Sequence, residues 1–397
     1  MPHDRGQGDE GRRWAVIAGG GTTGHVAPAI AVADALVAVG CPPEAIQFVG
    51  SERAIESELV PSAGYQISLY PGRGIVRRLA LRNVAAGVGV VIALARCIAA
   101  FRRWRPQVVV SVGGYASVPA VVAARVWRVP LVLVAHDSVP GAAHRLGARW
   151  ASATAAAFPG TTLPHVTVTG SPVRAAVRDV ARDEVGQKVA RELLHLDADR
   201  FVIAVFGGSL GARRINEAVL EFSNVHADSS DLGIYHVVGR RDFAYLAKPK
   251  SGALQYVSVP YEQHMELVYA AADLAICRAG ASTIAELSIV GLPSILVPLP
   301  NAPGDHQTHN ARALSNASAA VLLPDGECTA SRLDVLVEEF RVPSKLNAMK
   351  AALAGLAKPR AADDIASLVR ATANNPWTPR ATNDKSANDN SANDDSI

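Results

Sequence analysis

Short runs of Val, Ile, Leu and Ala alternate with longer mixed stretches along most of the chain. Runs at Trp14–Ala18, Ile46–Val49, Val108–Val112, Leu131–Ala135 and Val166–Thr169 predict one set of strands. Runs at Phe201–Phe206, Tyr235–Val238, Tyr256–Val259, Leu274–Cys277 and Ser294–Val297 predict a second. They are apolar throughout rather than alternating, the pattern of parallel strands buried on both faces by connecting helices. Both sets open alike, with a strand, a glycine-rich turn and a helix: Ala18-Gly19-Gly20-Gly21-Thr22-Thr23-Gly24 and Phe206-Gly207-Gly208-Ser209-Leu210-Gly211.

The repeat predicts an α/β protein of two Rossmann-like parallel-sheet domains facing each other across a cleft, over residues 14–172 and 173–345. The boundary falls near Gly170–Val173, where Pro172 follows a strand. Residues 1–13 form a polar extension without the apolar core of a signal peptide. A helical segment follows over 346–371, and residues 372–397, mostly Asn, Asp, Ser and Ala, predict a disordered tail. A chain of 397 residues with 39 basic and 36 acidic side chains has room for two cores and no charge excess of the kind a dedicated nucleic-acid binder carries. Cys41, Cys97, Cys277 and Cys328 form no CxxC pair, which fits reduced core thiols better than disulfides or a zinc site. Val84–Ala95 is the longest apolar run, and Arg96 ends it well short of the roughly 20 residues that cross a bilayer.

A glycine turn at the carboxyl end of a strand brings backbone N–H groups close to a ligand, and the helix that follows adds unpaired donors and partial positive charge. Two such turns, one per half, predict a phosphorylated ligand in the cleft. His25 follows the first turn, at or just before the first turn of a helix, where Pro28 costs nothing. Imidazole at a helix N-terminus stays neutral near pH 7 and can take a proton from a hydroxyl. It can equally cap the helix or pack under the loop, and local sequence leaves both readings open.

In the second half, Arg278-Ala279-Gly280-Ala281-Ser282-Thr283-Ile284-Ala285-Glu286 opens another helix. Thr283 and Glu286 have capping-box spacing. Alternatively, the small residues admit a diphosphate and Glu286 binds a ribose diol. Gly304–Asn310 predicts a polar loop at the carboxyl edge of the sheet, with Gln307 suited to sugar hydroxyls. Asp197-Ala198-Asp199 resembles a metal-holding DxD element but precedes its strand, so it reads as a turn away from the cleft. Neither glycine run ends in Gly-Lys-Ser/Thr, so there is no P-loop.

Taken in order, Gly20-Gly21-Thr22-Thr23-Gly24-His25, Gly113-Gly114-Tyr115-Ala116-Ser117, Thr169-Gly170-Ser171-Pro172-Val173-Arg174, Gly207-Gly208-Ser209-Leu210-Gly211-Ala212 and the block Tyr269–Asn310 resemble the MurG family. These are the undecaprenyl-pyrophosphoryl-muramyl-pentapeptide N-acetylglucosaminyltransferases. The resemblance runs from about Trp14 to Ala371 and departs from the family pattern at Thr23, where Gly is usual, at Ser171, where Asn is usual, and at His136-Asp137-Ser138-Val139, which replaces His-Glu-Gln-Asn. It implies the GT-B fold, with the acceptor on the first half and UDP-N-acetylglucosamine mainly on the second. It implies inverting transfer to a polyprenyl-pyrophosphate-linked muramyl-pentapeptide, without metal or other cofactor, at the cytoplasmic face of the cell membrane. His25 is then the expected base. Thr22, Thr23, Gly24, Arg174, Ser209, Ala281, Ser282, Thr283, Glu286 and Gln307 are the expected donor contacts, with His136 and Tyr115 toward the acceptor.

Arg73, Arg77, Arg78, Arg82, Arg96, Arg102, Arg103 and Arg105 interleave with Ile75, Val76, Leu79, Val84, Val90 and Phe101. Basic residues around apolar ones suit an anionic membrane surface, or else an ordinary helix pair with solvated arginines. Rival readings are a related transferase with another lipid or natural-product acceptor, a UDP-N-acetylglucosamine 2-epimerase, and a non-catalytic nucleotide-sugar binder.

Overall fold

The computed structural model describes residues 11–52, 55–71, 81–208 and 211–375, with the side chains of 81–87 excepted. The first sheet comprises β1 (Ala15–Gly19), β2 (Ile46–Ser51), β3 (Gln66–Tyr70), β4 (Val108–Gly113), β5 (Leu131–Ala135), β6 (Ala153–Ala156) and β7 (Val166–Val168), in the order β3-β2-β1-β4-β5-β6-β7. The second comprises β8 (Phe201–Phe206), β9 (Leu232–Val237), β10 (Gln255–Val259), β11 (Leu274–Cys277), β12 (Ser294–Leu296) and β13 (Val321–Leu322), in the order β10-β9-β8-β11-β12-β13. Every pairing is parallel.

All ten expected strands form. The three not foreseen lack a long run of β-branched apolar residues. Gln66–Tyr70 lies at a sheet edge and is half-buried, Ala153–Ala156 is nearly all alanine, a residue with little strand preference, and Val321–Leu322 is two residues long. Asp197–Asp199 is a turn before β8, as expected, with Asp197 bound to Arg200. The four cysteines are free and buried.

Strand order reverses between β1 and β4 in one sheet and between β8 and β11 in the other. Chains leaving two such strands diverge to opposite faces and open a crevice at the carboxyl edge. The glycine turns that begin at Gly20 after β1 and at Gly207 after β8 lie at these crevices.

The second core draws on residues from Val173 to Leu353, including Met349 and Leu353 of the Pro343–Leu356 helix. The next helix, Ala361–Thr372, crosses back: Ala362, Ile365, Ala366 and Val369 are buried with Ile17, Val26, Ala33 and Val132 of the first core. Sequence composition places Thr372 onward in the tail, but Thr372 ends this helix. Asn374 N–H donates to Gln107 O (3.1 Å), and Trp14 Nε1–H donates to Asn375 O (2.8 Å). Met1–Glu10 and 376–397 lie outside the described residues.

Ile365 is fully buried in a core that, apart from this helix and Ala373, is built from residues between Trp14 and Ala155. Ile365→Ala should therefore lower the unfolding free energy by about 2–5 kcal/mol, read by urea denaturation. A loss no larger than that of a surface substitution would show that this helix does not hold the first domain.

Candidate active site

The first glycine turn is held from beneath by a residue that motif reading missed. Glu56 is fully buried at the start of the Glu56–Ser62 helix. Its carboxylate accepts from Gly21 N–H (3.0 Å) and from Ser51 N–H (2.9 Å). A Cβ at Gly20 would fall 2.2 Å from Glu56 Oε1, and one at Gly114 would fall 2.1 Å from Gly20 O, so only glycines let these strands' ends meet. Gly21 has φ +96°, and the Tyr115 ring covers it. No local signal marked Glu56, because its partner amides come from β2 and from the turn after β1.

The helix after this turn begins at Thr23, earlier than expected, so His25 is its third residue and Pro28 lies in its second turn rather than its first. Proline has no N–H to give Gly24 O, the acceptor four residues back. Gly24 O instead accepts from Ser282 Oγ (3.0 Å) across the cleft.

The His25 imidazole is half-buried. Its Nδ1 lies 2.9 Å from Thr22 Oγ1, and its ring meets His136 edge-on with centroids 5.0 Å apart. Burial pushes its pKa down to about 3, and His136 adds to the depression, while Asp137 acts in the opposite sense. His25 is therefore neutral at physiological pH. His144, buried behind it with Nε2 near Ser111 O (3.3 Å), is pushed down to about 4, chiefly by burial. His136 is buried at the end of β5, and its Nδ1 has no partner among the described residues. The second domain closes over this corner: Ser138 N–H donates to Asn310 Oδ1 (3.2 Å), and Asn310 Nδ2 donates to Ala279 O (3.2 Å).

On the facing side, Ala281, Ser282 and Thr283 form the first turn of the Ala281–Val290 helix, so their backbone N–H groups lack partners within the helix. The cap is Gly280, and it makes no side-chain bond. The capping box is therefore absent: Thr283 sits inside the helix, and Glu286 Oε2 accepts from Tyr269 O–H (2.7 Å) instead. Burial raises the Glu286 pKa, opposed by the Tyr269 hydrogen bond and the Arg174 charge. Arg174, which caps the short Ala175–Arg178 helix, has a buried Nε without a partner among the described residues. Gln307 and its neighbours are not a loop, because a helix starts at His306. The Gln307 carboxamide oxygen accepts from Leu299 N–H (2.9 Å). Ser209 lies outside the described residues.

Thus two helix N-termini, Thr23–Ala38 and Ala281–Val290, approach each other at Gly24 and Ser282, with His25, His136 and Asp137 on one flank and Arg174 and Glu286 in the second crevice. The glycosyltransferase family 28 N-terminal domain profile matches residues 15–156, and the C-terminal domain profile of the same family matches residues 202–365.

The chain belongs to glycosyltransferase family 28.

Among its relatives are two proteins named UDP-N-acetylglucosamine--N-acetylmuramyl-(pentapeptide) pyrophosphoryl-undecaprenol N-acetylglucosamine transferase. The one from Desulforudis audaxviator is 38% identical over 367 residues, covering 89% of this chain and 97% of that protein. The one from Nocardioides sp. is 39% identical over 354 residues, covering 88% and 95%. The crystal structure of Acinetobacter baumannii MurG superposes with a TM-score of 0.68 at 25% identity, covering 91% of this chain and 99% of that one. The fold is accordingly GT-B. A UDP-GlcNAc 2-epimerase from Neisseria meningitidis shares that fold at a TM-score of 0.61, but with 11% identity.

Removing the Glu56 carboxylate strands two buried amides, at ~1–3 kcal/mol each. Glu56→Ala should cost about 2–5 kcal/mol of stability in denaturant unfolding, and Glu56→Gln, which keeps one acceptor oxygen, should cost less. Equal losses in the two variants would mean that the hydrogen bonds are not what Glu56 contributes.

Proposed function

We propose that this family 28 enzyme transfers N-acetylglucosamine from UDP-N-acetylglucosamine to an undecaprenyl-pyrophosphoryl-muramyl-pentapeptide, in peptidoglycan synthesis. One observation carries the mechanism: a neutral imidazole stands in the same cleft as an opposed pair of helix N-termini. Polar atoms that lack partners among the described residues, Thr23 Oγ1, His136 Nδ1, Ser171 Oγ and Arg174 Nε, fit a site completed by its ligands.

In this reading the UDP diphosphate lies against the amides of Ala281–Thr283 and the Gly24 turn, with Arg174 adding positive charge. Glu286 takes the ribose hydroxyls, Ser209 contacts the UDP portion, and Gln307 offers its NH2 to the sugar. With Nδ1–H donating to Thr22 Oγ1, His25 Nε2 carries the free lone pair. It accepts the proton of the acceptor hydroxyl as that oxygen bonds to the anomeric carbon from the face opposite UDP. The bond from the anomeric carbon to the diphosphate oxygen breaks in the same step, and helix-terminal amides stabilise the leaving charge. His25 is a weak base while its pKa is near 3, so the charge of Asp137 is what favours the imidazolium as it forms.

The same reading places the first domain against an anionic membrane. On the Leu81–Trp104 helix, Val88, Val91 (65% exposed) and Ile92 face solvent, as do Val126 and Trp127 (44% exposed) at the end of the neighbouring Val118–Trp127 helix. Arg96, Arg102, Arg103, Arg105, Arg125 and Arg128 are exposed around them. Val90 is half-buried and Phe101 is core. Arg73, Ile75, Val76, Arg77, Arg78 and Leu79, and the side chains of Arg82 and Val84, lie outside the described residues. Among the described residues no helix is long and apolar enough to cross a membrane, and the contact proposed is a peripheral one.

His25→Ala should lower turnover by ~10²–10⁴-fold with little change in donor KM, whereas Glu286→Ala should mainly raise donor KM. The assay uses labelled UDP-N-acetylglucosamine and a lipid-linked muramyl-pentapeptide analogue. Unchanged turnover in His25→Ala removes it as the base, and conversion of the donor with no acceptor present would favour an epimerase. Separately, Val91→Ser combined with Trp127→Ala should weaken sedimentation with phosphatidylglycerol vesicles, and added salt should weaken binding of the parent chain. Vesicle binding indifferent to both would place the docking surface elsewhere.

A further inference from the structure

The flank of the cleft at His25 has a second chemical property. One donor atom each from His25, His136 and Asp137 lie within 4.8 Å of one another, and among the described residues this is the only group of three or more His, Cys, Asp or Glu side chains so placed. Two imidazole nitrogens and one carboxylate oxygen form the donor set of many open zinc sites, with a fourth position left for water or substrate. Magnesium and calcium prefer all-oxygen shells, so this set selects borderline transition ions.

The surroundings suit that use. Thr22 Oγ1 at Nδ1 of His25 orients the ring and leaves Nε2 as the ligating atom, the outer contact that metal-bound histidines commonly carry. His136 is buried, and its Nδ1 has no hydrogen-bond partner among the described residues. Asp137 is steadied from the second domain by Asn310 Nδ2 at 3.5 Å, and its carboxylate supplies negative charge to the corner. Bonds of about 2.0–2.2 Å to a common ion require the three donors to stand closer together than they do in the empty site.

We propose that His25, His136 and Asp137 bind one divalent ion of the zinc class, and that the bound ion silences transfer by occupying the lone pair that receives the acceptor's proton. The silencing rests on the reading of His25 as base, but the binding does not.

The test titrates the full chain with Co2+, whose visible absorption reports tetrahedral nitrogen–oxygen coordination, and then displaces it with Zn2+. The expected result is one ion per chain, with affinity lowered at least ~10-fold in both His136→Ala and Asp137→Asn, and no displacement by Mg2+. The Asn variant keeps the shape of the side chain, so its loss is not one of folding. Transfer should fall in step with Zn2+ occupancy and return with EDTA. No tetrahedral band, equal affinity in the variants, or displacement by Mg2+ would overturn the site. If His25→Ala abolishes transfer but the parent chain takes up no ion, the metal site fails and the base assignment stands. If the ion binds through these residues and transfer is unaffected, the silencing fails and so does His25 as base.

Discussion

A backbone amide at the end of a helix has no partner within that helix, and the architecture of this protein brings two such ends together. The helices Thr23–Ala38 and Ala281–Val290 each leave the carboxyl edge of a parallel sheet, and they meet where Ser282 Oγ donates to Gly24 O. Pro28 makes this contact available, since a residue with an N–H at that position would engage Gly24 O within the helix. The result is a zone of unpaired donors whose natural complement is an anion. The rest of the cleft is arranged around it, with Arg174 adding charge and Glu286 held by Tyr269 in the adjoining crevice.

The same packing sets the chemistry of His25. Burial disfavours the protonated ring most, and His136, against which it packs edge-on, His144 and His306 add to that. A neutral, weakly basic imidazole follows from this burial. Asp137 is the counterweight, and Asn310 and Ser138 tie its segment to the second domain. The short segment after β5 that bears on the proton affinity of His25 is thus also the one hydrogen-bonded to the second domain.

Support for the site comes from residues far from the motifs. Glu56 holds the first glycine turn through two backbone amides, and the last helix of the chain completes the first core although it follows the whole second domain. The two domains are also bridged by Arg240 and Glu58 at 3.4 Å, an exposed pair of small energetic weight beside the buried Asn310 contacts.

Features written in local pattern could be read directly from the chain. Ten apolar runs became ten strands, and both glycine turns fell at carboxyl edges because strand–turn–helix is a local instruction. The ordered motifs sufficed to identify the family, since each one is a backbone requirement carried on consecutive residues. Other features depended on which distant groups came into contact. Thr283 and Glu286 had the spacing of a capping box, yet the helix started three residues earlier and a buried tyrosine claimed the carboxylate. The segment His306–Asn310 read as a polar loop, but it is helical, and Asn310 is spent on joining the domains. Spacing along a chain states what a side chain can reach within a turn or two. Burial, hydrogen-bond competition and the neutrality of His25 depend on neighbours contributed from elsewhere in the chain, and only the folded arrangement supplies them.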